Sequence, residues 1–271
     1  MLKDITIGQY FPGKSVIHRL DPRMKIILTI LFIVMLFMAN NFAAMGVGVL
    51  FLFVSYLISR IPLKMVLKSI KPVVPIILFT AVLNMFFIEG GEVLVKLWIL
   101  KITTEGLTLA AIMALRIICL IAGTSLLTYT TSPIALTDGI ERLLSPLKRV
   151  KVPVHELAMM MTIALRFIPT LIEETDKIMS AQKARGADME SGGVIQRAKA
   201  LVPILIPLFV SSFRRAEELA LAMECRCYHG GEGRTRMKQL RLSGIDFVCC
   251  AFVIFCLVAT IVCNNLMPSV Y

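Results

Sequence analysis

Residues 106–129 read Gly106-Leu107-Thr108-Leu109-Ala110-Ala111-Ile112-Met113-Ala114-Leu115-Arg116-Ile117-Ile118-Cys119-Leu120-Ile121-Ala122-Gly123-Thr124-Ser125-Leu126-Leu127-Thr128-Tyr129. The stretch carries one charge and exceeds the roughly 20 residues that a helix needs to cross a hydrocarbon core. That length, without the polar face of a surface helix, decides the class. The whole chain agrees. It is 57% hydrophobic and only 17% charged, where soluble domains carry about 25%. Mean hydropathy is +0.81. The expected fold is an all-α integral membrane protein of about five transmembrane helices, with a cytoplasmic-side domain of long helices.

Four further apolar runs flank the first. They are expected at about Ile26–Ala39, Ala43–Ile58, Val73–Ile88 and Ile245–Cys263. The run from Ile26 follows a long basic leader and precedes other spans, so it reads as an uncleaved span. Lysine and arginine then set the orientation. Segment 1–25 holds five, 59–72 four and 131–244 seventeen, whereas 39–42 and 264–271 hold none and 88–105 two. Alternation of rich and poor segments places the N-terminus and 131–244 on the cytoplasmic side. The net charge of +11 therefore follows the lipid bilayer and gives no case for nucleic acid. Three regions result: a membrane domain at 1–130 with four spans, a cytoplasmic domain at 131–244, and a C-terminal span at 245–271.

Segment 131–244 patterns as helices. Pro133 opens a short amphipathic one to about Leu144, and Pro146 ends it. Pro153 opens a long helix through Lys183. After Gly192-Gly193 a third runs from about Val194 to Glu224. The apolar stretches 157–165 and 201–213 are each shorter than a span and broken by charge or proline. They are expected to lie as helices against the membrane domain or against another membrane protein, with polar ends emerging. Each long helix ends in an arginine word, Ala184-Arg185-Gly186 and Cys225-Arg226-Cys227. Gly186 suits a helix C-terminus, which often needs a residue of positive φ. An arginine there complements the dipole and still offers a planar donor fork to another surface.

The N-terminal stretch carries two further words, Gly8-x-Tyr10-x-Pro12-Gly13-x-Ser15 and His18-x-Leu20-Asp21-Pro22-Arg23-x-Lys25. With Ala184-Arg185-Gly186 and Ala222-Met223-Glu224-x-Arg226-x-Tyr228, they resemble the transmembrane T component of energy-coupling factor (ECF) transporters, the EcfT/CbiQ family. The resemblance covers essentially the whole chain. It implies a non-catalytic coupling subunit in a prokaryotic plasma membrane, which links a substrate-binding membrane S component for vitamin or micronutrient uptake to two cytoplasmic ATPases (EcfA and EcfA'). The long helices would then be coupling helices. The ATPase-docking residues would be Ala184, Arg185, Gly186, Glu224, Cys225, Arg226 and Cys227. This chain holds no cofactor in that reading, since ATP is bound by the partner subunits. Cys225 and Cys227 depart from the small residues usual in the family's second word. The apolar stretches supply a seat for the S component at Leu157, Met159, Met160, Met161, Leu201, Leu205 and Leu208, where methionines suit a surface that accepts different partners.

Other constellations are weaker. Gly8-x4-Gly13-Lys14-Ser15 fits the P-loop pattern, but Tyr10, Phe11 and Pro12 crowd a loop that should wrap phosphate. Cys225-x-Cys227-x-His229 offers three soft ligands and no fourth. Five of the seven cysteines lie in apolar runs, where a thiol acts as a small hydrophobe. Arg116 lies inside a span, which marks either a functional charge or a helix cap. His155 reads as a surface or interface histidine. A self-contained secondary transporter is the alternative function. It would need paired intramembrane ionisable groups and repeats, and neither is visible. A membrane enzyme would need a catalytic cluster, and none is found. Gly186, Gly192, Gly193, Pro169, Pro203 and Pro207 are candidate flexing points of a lever.

Overall fold

The computed structural model describes residues 10–88, 90, 93–97, 100–187, 193–230 and 240–266. In chain order the elements are α1 (Val16–Arg19), α2 (Pro22–Met38), α3 (Phe42–Ser59), α4 (Leu63–Ile70), α5 (Val74–Phe87), β1 (Val93–Leu97), β2 (Leu100–Thr103), α6 (Thr104–Thr130), α7 (Pro133–Leu144), α8 (Val154–Ala184), α9 (Val194–Glu224) and α10 (Gly244–Leu266). Short 3-10 turns at Lys71–Val73 and Ser145–Val150 continue α4 and α7. The described residues fall into two compact units, 10–139 with 240–266, and 140–187 with 193–230.

The first unit is built around α2, which packs against α3, α6 and α10. Phe32, Met35 and Leu36 of α2, Met45 and Leu52 of α3, Ile112 and Cys119 of α6 and Cys256 of α10 form its core. The ring of Phe51 stacks between Phe32 and Phe252, at centroid distances of 5.2 and 5.8 Å. Gly123 lets α6 approach α2 closely, because a Cβ there would collide with the Phe32 ring. Small residues at such crossings matter in lipid, where hydrophobicity does not drive helices together.

Five helical stretches among the described residues are long and apolar enough to cross a membrane: Phe42–Ser59, Leu63–Phe87, Thr104–Thr130, Val154–Ala184 and Gly244–Leu266. The chain is a multi-pass, helical membrane protein. This set differs from the expected one in three places. The first expected span, Ile26–Ala39, falls on α2 and its C-cap residue, and the 17 residues of α2 make it a short helix. The third begins earlier, because α4 and the 3-10 turn run directly into α5. Val154–Ala184 qualifies because α8 is one unbroken 31-residue helix through Pro169, although it is the least apolar of the five. The expectation that charge and proline would break that run does not hold.

The link 88–105 contains an antiparallel hairpin, with Val93 opposite Thr103 and Leu97 opposite Leu100. The signal was in the β-branched Val93, Val95, Ile102 and Thr103, which favour extended backbone. Thr103 then caps α6, its hydroxyl accepting from the Gly106 amide at 3.1 Å.

Chain-entry residues form a buried polar node in the first unit. Asp21 caps α2, with Pro22 at the first helical position, a residue whose missing N–H costs nothing there. Its carboxylate accepts from the Arg23 amide at 2.9 Å and from the Arg23 guanidinium at 3.0 and 2.7 Å. Burial pushes the Asp21 carboxyl up, but these bonds and the Arg23 charge outweigh it and hold the group below its ordinary 3.8. The Asp21 amide donates to Asp246 Oδ1 at 2.9 Å, while Asp246 Oδ2 accepts from the Ser243 amide at 2.6 Å. Lys25 Nζ donates to the Thr130 carbonyl at 2.8 Å and to the His18 carbonyl at 3.3 Å. One node thus ties the start of α2 to the start of α10 and the end of α6.

At the opposite ends of α2 and α10, Asn40 donates its amide to Asn264 Oδ1 at 3.2 Å, and Asn264 returns a bond to the Met38 carbonyl. Arg116 donates to the Ala39 carbonyl at 2.6 Å and is itself buried. The intramembrane arginine of α6 therefore caps the C-terminus of α2, where a cation favours the helix dipole.

Asp246 is 1% exposed and accepts two backbone amides. Asp246→Ala leaves both donors without an acceptor and is expected to destabilise the first unit by about 3 kcal/mol or more. The check is the denaturation midpoint of the full chain in detergent. A midpoint unchanged from wild type would refute this role for the node.

Candidate functional site

Helices α8 and α9, of 31 residues each, dominate the second unit. Glu174 of α8 accepts from Ser211 Oγ at 2.9 Å and pairs with Arg215. Eight residues later, Gln182 Nε2 donates to the Pro203 carbonyl at 3.4 Å. As numbers rise along α8 they fall along α9, so the two helices run antiparallel. The Gln182 bond also repairs α9. The Pro203 carbonyl would normally accept from residue 207, but Pro207 has no N–H to give. The sequence reading missed this clamp. Its cue was an acid, an amide and a base on facing stretches of two long helices.

The two arginine words fold alike. After α8, the Gly186 amide donates to the Lys183 carbonyl and the Ala187 amide to the Gln182 carbonyl, both at 3.0 Å. Gly186 has φ +84°. After α9, the Cys227 amide donates to the Glu224 carbonyl at 2.8 Å and the Tyr228 amide to the Met223 carbonyl at 3.0 Å. Cys227 has φ +56°. Each end is the paired-bond stop that closes a helix with one left-handed residue. In both, arginine is the last residue before the left-handed one. Arg185 and Arg226 therefore hold equivalent places, and both are exposed. Ala184 and Glu224 precede the stops, and Cys225 stands between Glu224 and Arg226, exposed like Cys227.

Because the helices are antiparallel, these ends lie at opposite ends of the pair. At 1.5 Å per residue and with the observed pairing of Gln182 with Pro203, they are separated by on the order of 40 Å along it. Gly186 and Gly193 fall within the described residues, whereas Gly192 lies outside them.

The apolar residues named as a seat divide. Leu157, Met160, Met161, Leu201 and Leu205 are exposed, while Met159 and Leu208 are half-buried. Beside them Val202, Ile206, Phe209, Val210 and Phe213 of α9 are exposed as well. Only Val154, Ala158 and Ile204 are buried apolar residues of the second unit among those described. A face this apolar marks a contact with lipid or protein. His155 Nδ1 lies 3.1 Å from Glu141 Oε1, which ties the end of α7 to the start of α8.

The remaining constellations are structural or do not converge. Gly8 of the P-loop-like word lies outside the described residues. Ser15 is the cap of the four-residue α1, and its hydroxyl accepts from the His18 amide and bonds the His18 ring at 2.7 Å. The other ring nitrogen of His18 meets the Phe11 carbonyl at 3.0 Å. Among the described residues no three His, Cys, Asp or Glu side chains come together in a way that would hold a metal ion.

The family model described as "Cobalt transport protein", CbiQ, matches residues 13–237. A relative from Clostridium kluyveri named "Energy-coupling factor transporter transmembrane protein EcfT" is 59% identical over 95% of this chain and 96% of its own. Proteins of the same name from Thermosediminibacter oceani and Bacillus subtilis are 60% and 50% identical, over 90% and 91% of this chain and 92% and 93% of theirs. The family match takes in both arginine words and the stretch from His18 to Lys25, and the relatives are alike over nine-tenths or more of this chain, so the chain belongs to the CbiQ family, as a transmembrane component of energy-coupling factor transporters.

Proposed function

We propose that this chain is the coupling subunit of an importer, passing ATP-driven motion of two cytoplasmic ATPase subunits to a membrane S component that binds a vitamin or other micronutrient. The observation that carries the reading is the equivalence of Arg185 and Arg226. Two identically built helix ends, far apart on one antiparallel pair, suit two similar partners. The chain itself performs no chemistry in this scheme. ATP sits on the partners, and the cargo is chosen by the S component. The charge asymmetry supports a plasma-membrane protein with its N-terminus and residues 131–244 in the cytoplasm.

Each arginine, pinned at a helix stop, extends a fork that matches a carboxylate or a pair of carbonyls in a partner groove. The exposed leucines, methionines and phenylalanines of α8 and α9 form the seat for the S component. The Glu174 clamp and the Gln182–Pro203 bond hold the two helices together. Displacement of one arginine end is thereby carried to the other helix, and with it to the apolar face. Pro169, Pro203 and Pro207 are the positions where this pair can bend.

Three outcomes are expected. Truncating one side of a desolvated charge pair costs about 2–5 kcal/mol, so Arg185→Ala with Arg226→Ala is expected to release the ATPases or uncouple hydrolysis from uptake. Co-purification and transport in proteoliposomes measure this, and Arg→Lys is expected to rescue only in part because lysine lacks the fork. Normal assembly and uptake in the double variant would reject the docking role. Met160→Asp with Leu205→Asp is expected to abolish S-component co-purification while the ATPases stay bound. Retention of the S component, or loss of both partners together, would count against the seat. Cys227→Gly removes a side chain from a left-handed residue and is expected to raise the stability of that helix end by about 1 kcal/mol with docking retained. Amide exchange at Cys225 to Tyr228 reads this out, and faster exchange in the variant would contradict it.

A further inference from the structure

Helix α4 divides into three stripes. Met65 and Ser69 face the protein, where the Tyr129 hydroxyl donates to the Met65 carbonyl at 3.0 Å and also bonds the Ser69 hydroxyl. Leu63 and Leu67, one turn apart, are 74% and 65% exposed. Lys64 and Lys68, also one turn apart, are exposed, and Lys71 extends their row into the 3-10 turn. At about 100° per residue the leucine stripe lies beside the lysine stripe, on the side away from Tyr129.

Four observations bear on what this surface meets. Arg60, Lys64, Lys68 and Lys71 are four cations within a dozen positions, and no Asp or Glu occurs between Asp21 and Glu89. None of the four has an ion pair among the described residues. The element runs without a break into α5, and Leu63–Phe87 is one of the stretches apolar enough to cross a membrane. It therefore sits where acyl chains give way to head groups. Finally, Tyr129 of α6 holds α4 in place, so its lysines are presented in fixed register rather than on a loose loop.

We propose that α4 is a binding site for anionic phospholipid, with phosphate head groups on Lys64, Lys68 and Lys71 and acyl chains against Leu63 and Leu67. An amphipathic helix at the interface binds through apolar burial plus attraction to anionic lipid. A basic cluster next to a span is the electrostatic half of that recognition. The charge complementarity commits the site to an anionic lipid. An acidic protein surface would leave the leucine stripe uncovered, and a zwitterionic lipid would leave the lysines unanswered. The consequence for the fold is an anchor. The lipid holds the junction of α4 and α5 at one membrane depth while the rest of the chain works.

The test is native mass spectrometry of the full chain, released from detergent after incubation with equal amounts of phosphatidylglycerol and phosphatidylcholine. Wild type is expected to retain phosphatidylglycerol preferentially, and the preference is expected to fall as salt rises. Lys64→Gln with Lys68→Gln and Lys71→Gln is expected to weaken retention at least about tenfold, since each cation near an anionic surface contributes several-fold. Single Lys→Gln variants, with the thermal midpoint in detergent measured alongside, give a graded series should the triple variant fold poorly. Lys148→Gln with Arg149→Gln and Lys151→Gln removes the same charge elsewhere and is expected to leave retention unchanged. Inorganic phosphate at equal concentration is not expected to displace the lipid, because only the lipid engages the leucines. Equal retention of the two lipids, equal loss in both triple variants, displacement by inorganic phosphate, or loss of a co-purifying protein partner with lipid retention unaltered would each overturn the proposal.

Discussion

The architecture of the first unit depends on one buried carboxylate. Asp246 lies at the root of α10 and accepts the amides of Asp21 and Ser243. Hydrocarbon offers no partner for backbone groups, so helix ends near it must be answered from within the protein. Asp246 answers two such groups from different parts of the chain. Its neighbours answer the rest: Asp21 takes Arg23, Arg23 reaches the Leu240 carbonyl at 3.3 Å, and Lys25 takes the Thr130 and His18 carbonyls. The word His18-x-Leu20-Asp21-Pro22-Arg23-x-Lys25 is thus a structural device. Every named residue in it caps, closes or is buried at the point where α2, α6 and α10 come together. A family signature need not mark the surface that does the work.

The second unit obeys a different constraint. It keeps few side chains fully inside and leaves a broad apolar face outside, so polar clamps add to the apolar packing between α8 and α9. Glu174 with Ser211 and Arg215, and Gln182 with the carbonyl that Pro207 leaves unanswered, are directional bonds. They set register where loose apolar packing would permit sliding. The helix stops add a second kind of definition. A left-handed residue fixes where the backbone turns away, and the residue before it is held at a defined exit point. Glycine reaches that conformation without strain, whereas Cys227 reaches it against its own Cβ. The two arginine ends are alike in hydrogen bonding yet differ in how easily they form.

Arg116 shows how an intramembrane charge can be structural. Within an apolar span it satisfies the carbonyl of Ala39, the residue that caps the C-terminus of α2, and the cation sits at the negative end of a helix dipole. Asn264 does the same for Met38 from α10. The membrane-embedded ends of α2 and α10 are thereby closed by side chains at one end and by the Asp246 node at the other. This mutual capping lets α2, only 17 residues long, stand at the centre of the bundle.

Sequence alone determined the class, the helices and the two arginine words. Composition and the length of apolar runs are local properties, and so are the proline, glycine and charge signals at helix ends. The bounds of α7, α8 and α9 follow from Pro133, Pro153 and the residues past Glu224 for that reason. The hairpin at 93–103 was legible in its β-branched residues, although it lies in a link between two long apolar spans. Tertiary structure decided what those local signals could not: that Asp21 faces Asp246 across the chain, that Arg116 reaches the end of α2, that Gln182 meets Pro203, and that the seat residues Met159 and Leu208 are half-buried while Leu201 and Leu205 stand exposed. Each joins residues far apart in the chain. A helix signals its own period and ends, whereas its partner is fixed only when whole faces pack and each buried donor finds an acceptor.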